Sequence, residues 1–193
     1  MIPNNSLSSS VVLAPFKGAR NRSEVNYYTD WEDGGVGIGD VSMGLEHQAW
    51  RGRIVGSNIV INPEFGADIV AYAGTGVITE CSFTFDQTMK PVVAFIEDYV
   101  PKLYWYDSLI PGYVVTNLDP AIATPRVALD DKRESQVGNS DVILAYVKNG
   151  FLCYRQQRDR FLTEYTLASG LTTTLVKIGM NTKLRFQFLI GNM

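Results

Sequence analysis

The chain has 193 residues, a formal net charge of −3, 46% hydrophobic residues and 19% charged residues; it suits one domain, or a domain plus an arm, and can bury roughly 70% of its unfolded surface. This balance excludes a disordered chain, and the acidic net charge excludes nucleic acid as a dominant partner, which would need a concentrated basic face. No apolar run approaches the roughly 20 residues of a membrane helix, and "MIPNNSLSSS" lacks the basic-then-apolar pattern of a secretory signal.

Residues 1–45 differ from the rest. "NNSLSSS" is polar, "VVLAPF" is a brief apolar patch and "DWEDGGVGIGD" is acidic and glycine-rich. No helical or strand period persists there, so the segment is expected to be an extended arm. Its expected anchors are Val11 to Phe16, Tyr27, Tyr28 and Trp31. "GGVGIGD" precedes no strand-turn-helix unit and lacks both the dinucleotide and the P-loop spacing, so it is expected to be a flexible bend rather than a phosphate cradle.

From residue 46 onward the chain reads as an all-β domain. "QAWRGRIV" and "NIVINP" flank a Gly56-Ser57 turn, and eleven further runs of five to nine residues follow, rich in β-branched and aromatic types. They are separated by Gly, Asn, Asp or Pro. "FTFDQ" and "LRFQFL" alternate as half-buried strands do, whereas "VVAFI" and "VILAYV" are continuous, as strands covered on both faces are.

Two stretches repeat. Val92 to Asp98 matches Ile143 to Asn149 position by position in character, and "SFTFD" matches "RVALD", ending at Asp86 and Asp130. Dropping three residues in the turn aligns Leu103 to Tyr106 with Phe151 to Tyr154, and then Tyr113-Val114 with Phe161-Leu162. The result is a four-stranded antiparallel unit at about 80–118, a second at about 124–167 and a partial one at 172–193. Such spacing is that of β-propeller blades, but the chain is short for a usual ring, so a small compact propeller, a β-sandwich of the same meanders and blades completed between subunits all stand.

Chemistry-bearing constellations are sparse. His47 is the single histidine and adjoins no nucleophile elbow, and Cys81 and Cys153 lack metal-ligand spacing, which leaves no metal, cofactor or catalytic residue to assign. The cysteines are expected to be buried free thiols of a reducing compartment. Asp86 and Asp130, with Asp131 and Glu134 nearby, carry a glycosidase reading that competes with simple turn capping. Arg155, Arg158 and Arg160, with Lys132 and Arg133, are expected to make ion pairs between subunits rather than a polyanion site. In "LYWYD" the side chains alternate, so Trp105 faces away from Tyr104 and Tyr106; one set is core and the other an interface or a sugar platform.

The stretches "GGVGIGDVSMGLEHQAW", "FDQTMKPVVAFIED", "TPRVALDDKRESQVGNSDVILAYV", "LCYRQQRDRF" and "IGMN" resemble a group of virion structural proteins of tailed bacteriophages, over roughly residues 31–190. The resemblance implies a non-enzymatic tail or host-attachment subunit, made in the bacterial cytoplasm and present in symmetric copies. Its expected partners are copies of itself and other tail proteins, with no membrane insertion and no nucleic acid. Tyr27, Tyr28, Trp31, Tyr104, Trp105, Tyr106, Arg155, Arg158 and Arg160 are its expected contacts. The alternative is a carbohydrate-binding module that stacks Trp105 or its flanking tyrosines on a host glycan.

Overall fold

A computed structural model describes residues 24–26, 32–38, 47–63, 66–130, 141–170, 174–180 and 186–191. Among these the chain is all-β, with no α-helix and fifteen strands. β1 (Glu24–Asn26), β2 (Glu32–Ile38), β3 (His47–Val55), β4 (Asn58–Pro63) and β5 (Ile69–Ala73) form the first sheet. β6 (Ile78–Phe85), β7 (Pro91–Glu97), β8 (Val100–Asp107) and β9 (Gly112–Asn117) form the second. β10 (Ile122–Asp130), β11 (Asp141–Lys148), β12 (Phe151–Gln156) and β13 (Tyr165–Ala168) form the third, and β14 (Thr174–Met180) with β15 (Phe186–Gly191) the fourth. Every sheet is an antiparallel meander in chain order.

Consecutive sheets pack face to face, the pairwise arrangement of a sandwich, and no hydrogen-bonded barrel closes among the described residues. Their leading strands are mutual neighbours: β2 lies against β6, β6 against β10, β10 against β14, and β1 against β14. Propeller blades follow one another in the same order. The continuous apolar strands are explained by this stacking. In β7, Val93 and Phe95 pack towards the first sheet while Val92 and Ala94 pack towards the third. In β11, Val142, Leu144 and Tyr146 face the second sheet while Ala145 and Val147 face the fourth. Gly52 sits where an added Cβ would lie 2.9 Å from the Phe83 Cβ, so its bare backbone lets β3 approach β6.

One buried ion pair joins three sheets near their leading strands. Arg126 on β10 donates to Glu80 on β6 at 2.6 Å and to the Val176 carbonyl on β14 at 3.0 Å. A bulge between Ala123 and Arg126 places Thr124 at φ 50, from where its hydroxyl accepts the Leu175 N–H at 3.2 Å. A β-branched residue at positive φ is a costly conformation, held here by the contacts of two sheets.

Three expectations change. "GGVGI" within the acidic arm segment is strand β2, paired in register with β3 from Asp33↔Gly52 to Ile38↔His47, rather than a flexible bend. The repeat holds from Asp86 and Asp130 through Ala94 and Ala145, since Ser82 pairs Ala94 as Arg126 pairs Ala145. It needs no deletion afterwards: both β7–β8 and β11–β12 close through two-residue turns, with Glu97↔Val100 matching Lys148↔Phe151. The place of Phe151 is therefore that of Val100, and Leu103 corresponds to Tyr154. Phe161-Leu162 lies before β13 rather than in it.

Candidate functional site

Three groups of side chains gather the chemistry that the sequence places on strand ends and aromatic runs. The first is a clasp between the second and third sheets, built by "RQQRDRF". After β12 the chain makes a single 3-10 turn over Gln157–Asp159, then places Arg160 and Phe161 at φ 60 and 58. Two successive left-handed residues reverse the chain and send Phe161 inward, where its ring meets Trp105 edge-on at 5.2 Å. Arg160 reaches Asp107 at the end of β8 at 2.5 Å, and Gln157 reaches Asp86 at the end of β6 at 3.3 Å. Arg158 instead holds Asp141 of its own sheet, through Nε at 2.6 Å and its backbone N–H at 3.0 Å.

Electrostatics follow these partners. Burial opposes ionisation of Asp107, but the Arg160 guanidinium and the Leu109 N–H hold its carboxyl below the usual range. Asp141 moves the other way: burial raises it beyond what Arg158 offsets, and Asp130, directly opposite across the strand pair, adds to the rise. Arg155 completes the set within the third sheet, donating to the Tyr146 hydroxyl at 2.8 Å, the Phe161 carbonyl at 3.3 Å and Glu164 at 3.4 Å. The three arginines thus find anionic partners within the chain, while Arg158 and Arg160 keep much of their side chains exposed. Asp86 is a turn cap: its Oδ1 accepts from the Thr88 N–H and hydroxyl, both at 2.7 Å, and from the Lys90 N–H at 3.0 Å.

The second group is a tyrosine patch on the side of the second sheet that faces the first. Alternation along β8 buries Leu103 and Trp105 and leaves Tyr104 and Tyr106 half-buried. Tyr104 stacks on Tyr113 of β9 with centroids 4.8 Å apart and planes at 5°, Tyr72 of β5 lies 5.9 Å away, and Tyr106 meets Tyr113 edge-on. The Lys90 ammonium sits 3.4 Å over the Tyr106 ring. Burial pushes the Tyr113 hydroxyl up to about 12, with Tyr104 and Asp86 adding to the shift. Trp105 is 5% exposed and donates its indole N–H to Thr116, so it is corrected from a contact residue to core.

The third group fastens the first sheet to the second at the opposite strand ends. Glu97, fully enclosed, accepts from Lys102 at 2.6 Å, the Tyr72 hydroxyl at 2.9 Å and the N–H groups of Thr75 and Gly76. Burial raises its carboxyl, yet Lys102 and the other donors outweigh that and hold it at about 2.

Tyr27, Tyr28 and Trp31 fall between β1 and β2, and Lys132, Arg133, Asp131 and Glu134 between β10 and β11; all lie outside the described residues. Cys81 and Cys153 are buried free thiols. His47 begins β3 opposite Ile38. No group of His, Cys, Asp and Glu that could hold a metal ion occurs among the described residues, and no helix there is long and apolar enough to cross a membrane. Sequence reading missed Asp107, Asp141, Lys90, Tyr72 and Tyr113. The signal for the two aspartates was available, because each ends or begins an apolar run as Asp86 and Asp130 do. No family model matches the chain, and no curated protein or solved structure matches it.

Proposed function

We propose that the chain is a non-enzymatic structural subunit of a bacteriophage tail or host-attachment apparatus, assembling as a symmetric oligomer through its arm and sheet edges. One observation carries the assembly part. The outermost strands, β5 "IVAYA", β9 "GYVVTN", β13 "YTLA" and β15 "FQFLIG", contain no charged residue and no proline. They expose Ile69, Val70, Tyr113, Val115, Tyr165, Leu167, Leu189 and Ile190. A protein that works as a single copy ordinarily blunts such edges with lysine, proline or a bulge. Register shifts interrupt the β4–β5, β12–β13 and β14–β15 pairings, but edges without charge or proline still suit cyclic contacts, in which one surface meets another around a closed ring. The tail assignment draws on the family resemblance alone.

Light scattering of the intact chain over a concentration series tests the assembly part. A discrete oligomer is expected, and Val70→Lys combined with Val115→Lys should convert it to single copies that remain folded. A monomer of the intact chain at every concentration would remove the reading. A second reading, a glycan-binding module of the same apparatus, is favoured by the tyrosine patch with Lys90, since aromatic faces and a cation are common sugar and acidic-glycan contacts. Glycan-array binding that Tyr106→Ala abolishes would put it first. Cleavage of a polysaccharide, sensitive to Asp130→Asn, would instead revive the weaker glycosidase reading at the Asp86 and Asp130 level.

A further inference from the structure

Lys90 differs from the other cations of the second and third sheets. Lys102, Arg126, Lys148, Arg155, Arg158 and Arg160 each meet a carboxylate. The Lys90 ammonium meets none among the described residues and lies instead 3.4 Å from the centroid of the Tyr106 ring. A ring face attracts an ammonium but accepts no full hydrogen bond, so its three N–H donors keep room for an anion. The base of the side chain is fixed. The Lys90 N–H donates to Asp86 Oδ1 at 3.0 Å and the Lys90 carbonyl accepts the Asp86 N–H at 2.9 Å. The tyrosines beside it form a corner: Tyr104 and Tyr113 lie parallel, and Tyr106 stands at 79° to Tyr113 with centroids 5.4 Å apart. Charge and stacking surface are thus offered by adjacent rings. Tyr106 carries the ammonium, and Tyr113, 43% exposed, is the most open ring of the corner.

We propose that this corner binds an anionic sugar, with a pyranose ring against Tyr113 and its carboxylate or sulfate accepting hydrogen bonds from the Lys90 ammonium. The assignment rests on the glycan-binding reading and narrows it: Lys90 sets the specificity for charged over neutral glycans. The contact it adds is charge-assisted, the stronger kind of hydrogen bond. Lysine is a compact charge without the planar fork of arginine, so carboxylate and sulfate share the chemistry it recognises. An acidic peptide would also satisfy the ammonium, but it has no ring to lay against the open face of Tyr113. The site lies within one chain, so it does not depend on the oligomeric reading.

Calorimetric titration of the full chain tests it with three tetrasaccharides: tetragalacturonic acid, uncharged galactotetraose and its sulfated form. At least one charged form should bind about tenfold or more tighter than the uncharged one, the scale of a hydrogen bond to a charged group. The margin should shrink as salt rises from about 20 mM to about 500 mM. Lys90→Gln should abolish the preference and leave binding of the uncharged form unchanged. The variant keeps its fold, because the Asp86 turn uses only backbone groups of Lys90. Tyr113→Ala should weaken all three ligands. Comparing the two charged forms separates carboxylate from sulfate as the preferred anion. Equal affinity for charged and uncharged forms, or a preference that survives Lys90→Gln, would overturn the assignment while leaving the glycan-binding reading in place. Failure to bind any of the three would remove both. Polyglutamate that binds as tightly as tetragalacturonic acid, and is lost with Lys90→Gln, would overturn the sugar assignment in favour of an acidic peptide.

Discussion

The joint between the second and third sheets and the joint between the third and fourth use the same leading-strand geometry but differ in how they are filled. The first encloses a continuous core from Val92 and Leu103 through Leu129, Leu144 and Phe161, and the clasp seals its end through Arg160–Asp107 and Gln157–Asp86. The second has a smaller enclosed group, Ala128, Ala145, Val147, Leu152, Leu175 and Ile178, and leaves Phe186, Phe188 and Tyr154 half-covered at its margin. The repeat therefore specifies matching strands and turns in both units, while the packing of equivalent positions differs. Among the described residues the core position Leu103 is matched by the half-buried Tyr154.

The largest test of this contrast removes one aromatic ring from each joint. Trp105→Ala should cost about 3–5 kcal/mol, because it opens a cavity in a closed core and deprives Phe161 of its edge-on partner. Phe186→Ala, at a half-covered site, should cost about 1–2 kcal/mol, nearer the loss of partial burial alone. Denaturant midpoints measured on the two variants check the difference. Equal costs would mean that the margin of the fourth sheet is as well covered in solution as the core of the other joint.

Much of this was legible in the residues. The β class, the unit spacing and the equivalence of Asp86 with Asp130 follow from strand periodicity and turn residues, which are local. The alternation of "LYWYD" separated Trp105 from its tyrosine neighbours, but could not say which set was core. That depended on the third sheet covering one side more completely than the first sheet covers the other. The slipped match at Phe151 came from aromatic likeness: "LYWY" and "FLCY" look aligned, yet strand register counts from the turn. The arginines of "RQQRDRF" read as groups for ion pairs between subunits because nothing local names their acceptors within the chain, Asp107 and Asp141. "GGVGI" carries almost no strand propensity, and its pairing is imposed by β3 rather than declared locally.

Acid should separate the joints in a second way. The first and second sheets are fastened by Glu97, whose carboxyl is held at about 2 against 4.5 for an unburdened glutamate. A folded value below the unfolded one means that this contribution is fully present above pH 4.5 and is lost as the pH falls through about 2. Glu97→Gln should lower stability by about 2 kcal/mol at neutral pH, the scale of hydrogen bonds to a charged group. It should also flatten the acid limb of the stability curve. The Trp105 joint keeps an acid-sensitive carboxyl of its own, Asp107, which Arg160 holds below the usual range, so the acid limb left in Glu97→Gln should belong to the clasp. Parallel acid limbs for the intact chain and Glu97→Gln, followed by chemical denaturation at stepped pH, would show that Glu97 is not the fastening group.

The smallest expected effect concerns the two matching turns. Asn149-Gly150 closes β11–β12 with φ of 51 and 78, and Asp98-Tyr99 closes β7–β8 with φ of 49 and 64. Both are two-residue turns in which each central residue is left-handed, the geometry that favours Asn-Gly. Asp98 has an evident use, since its carboxylate accepts the Val77 N–H at 2.8 Å. Tyr99 has none among the described residues: it is 90% exposed, and its Cβ carries a left-handed penalty of about 1–2 kcal/mol. Glycine there would lose about 0.5–1 kcal/mol to unfolded-state freedom, so Tyr99→Gly should stabilise the fold by about 0.5 kcal/mol. Light scattering on the same variant decides what the strain is for. A more stable chain that assembles less well would assign the ring to a subunit contact. A more stable chain that assembles unchanged would make Tyr99 a tolerated departure from the turn its repeat otherwise keeps.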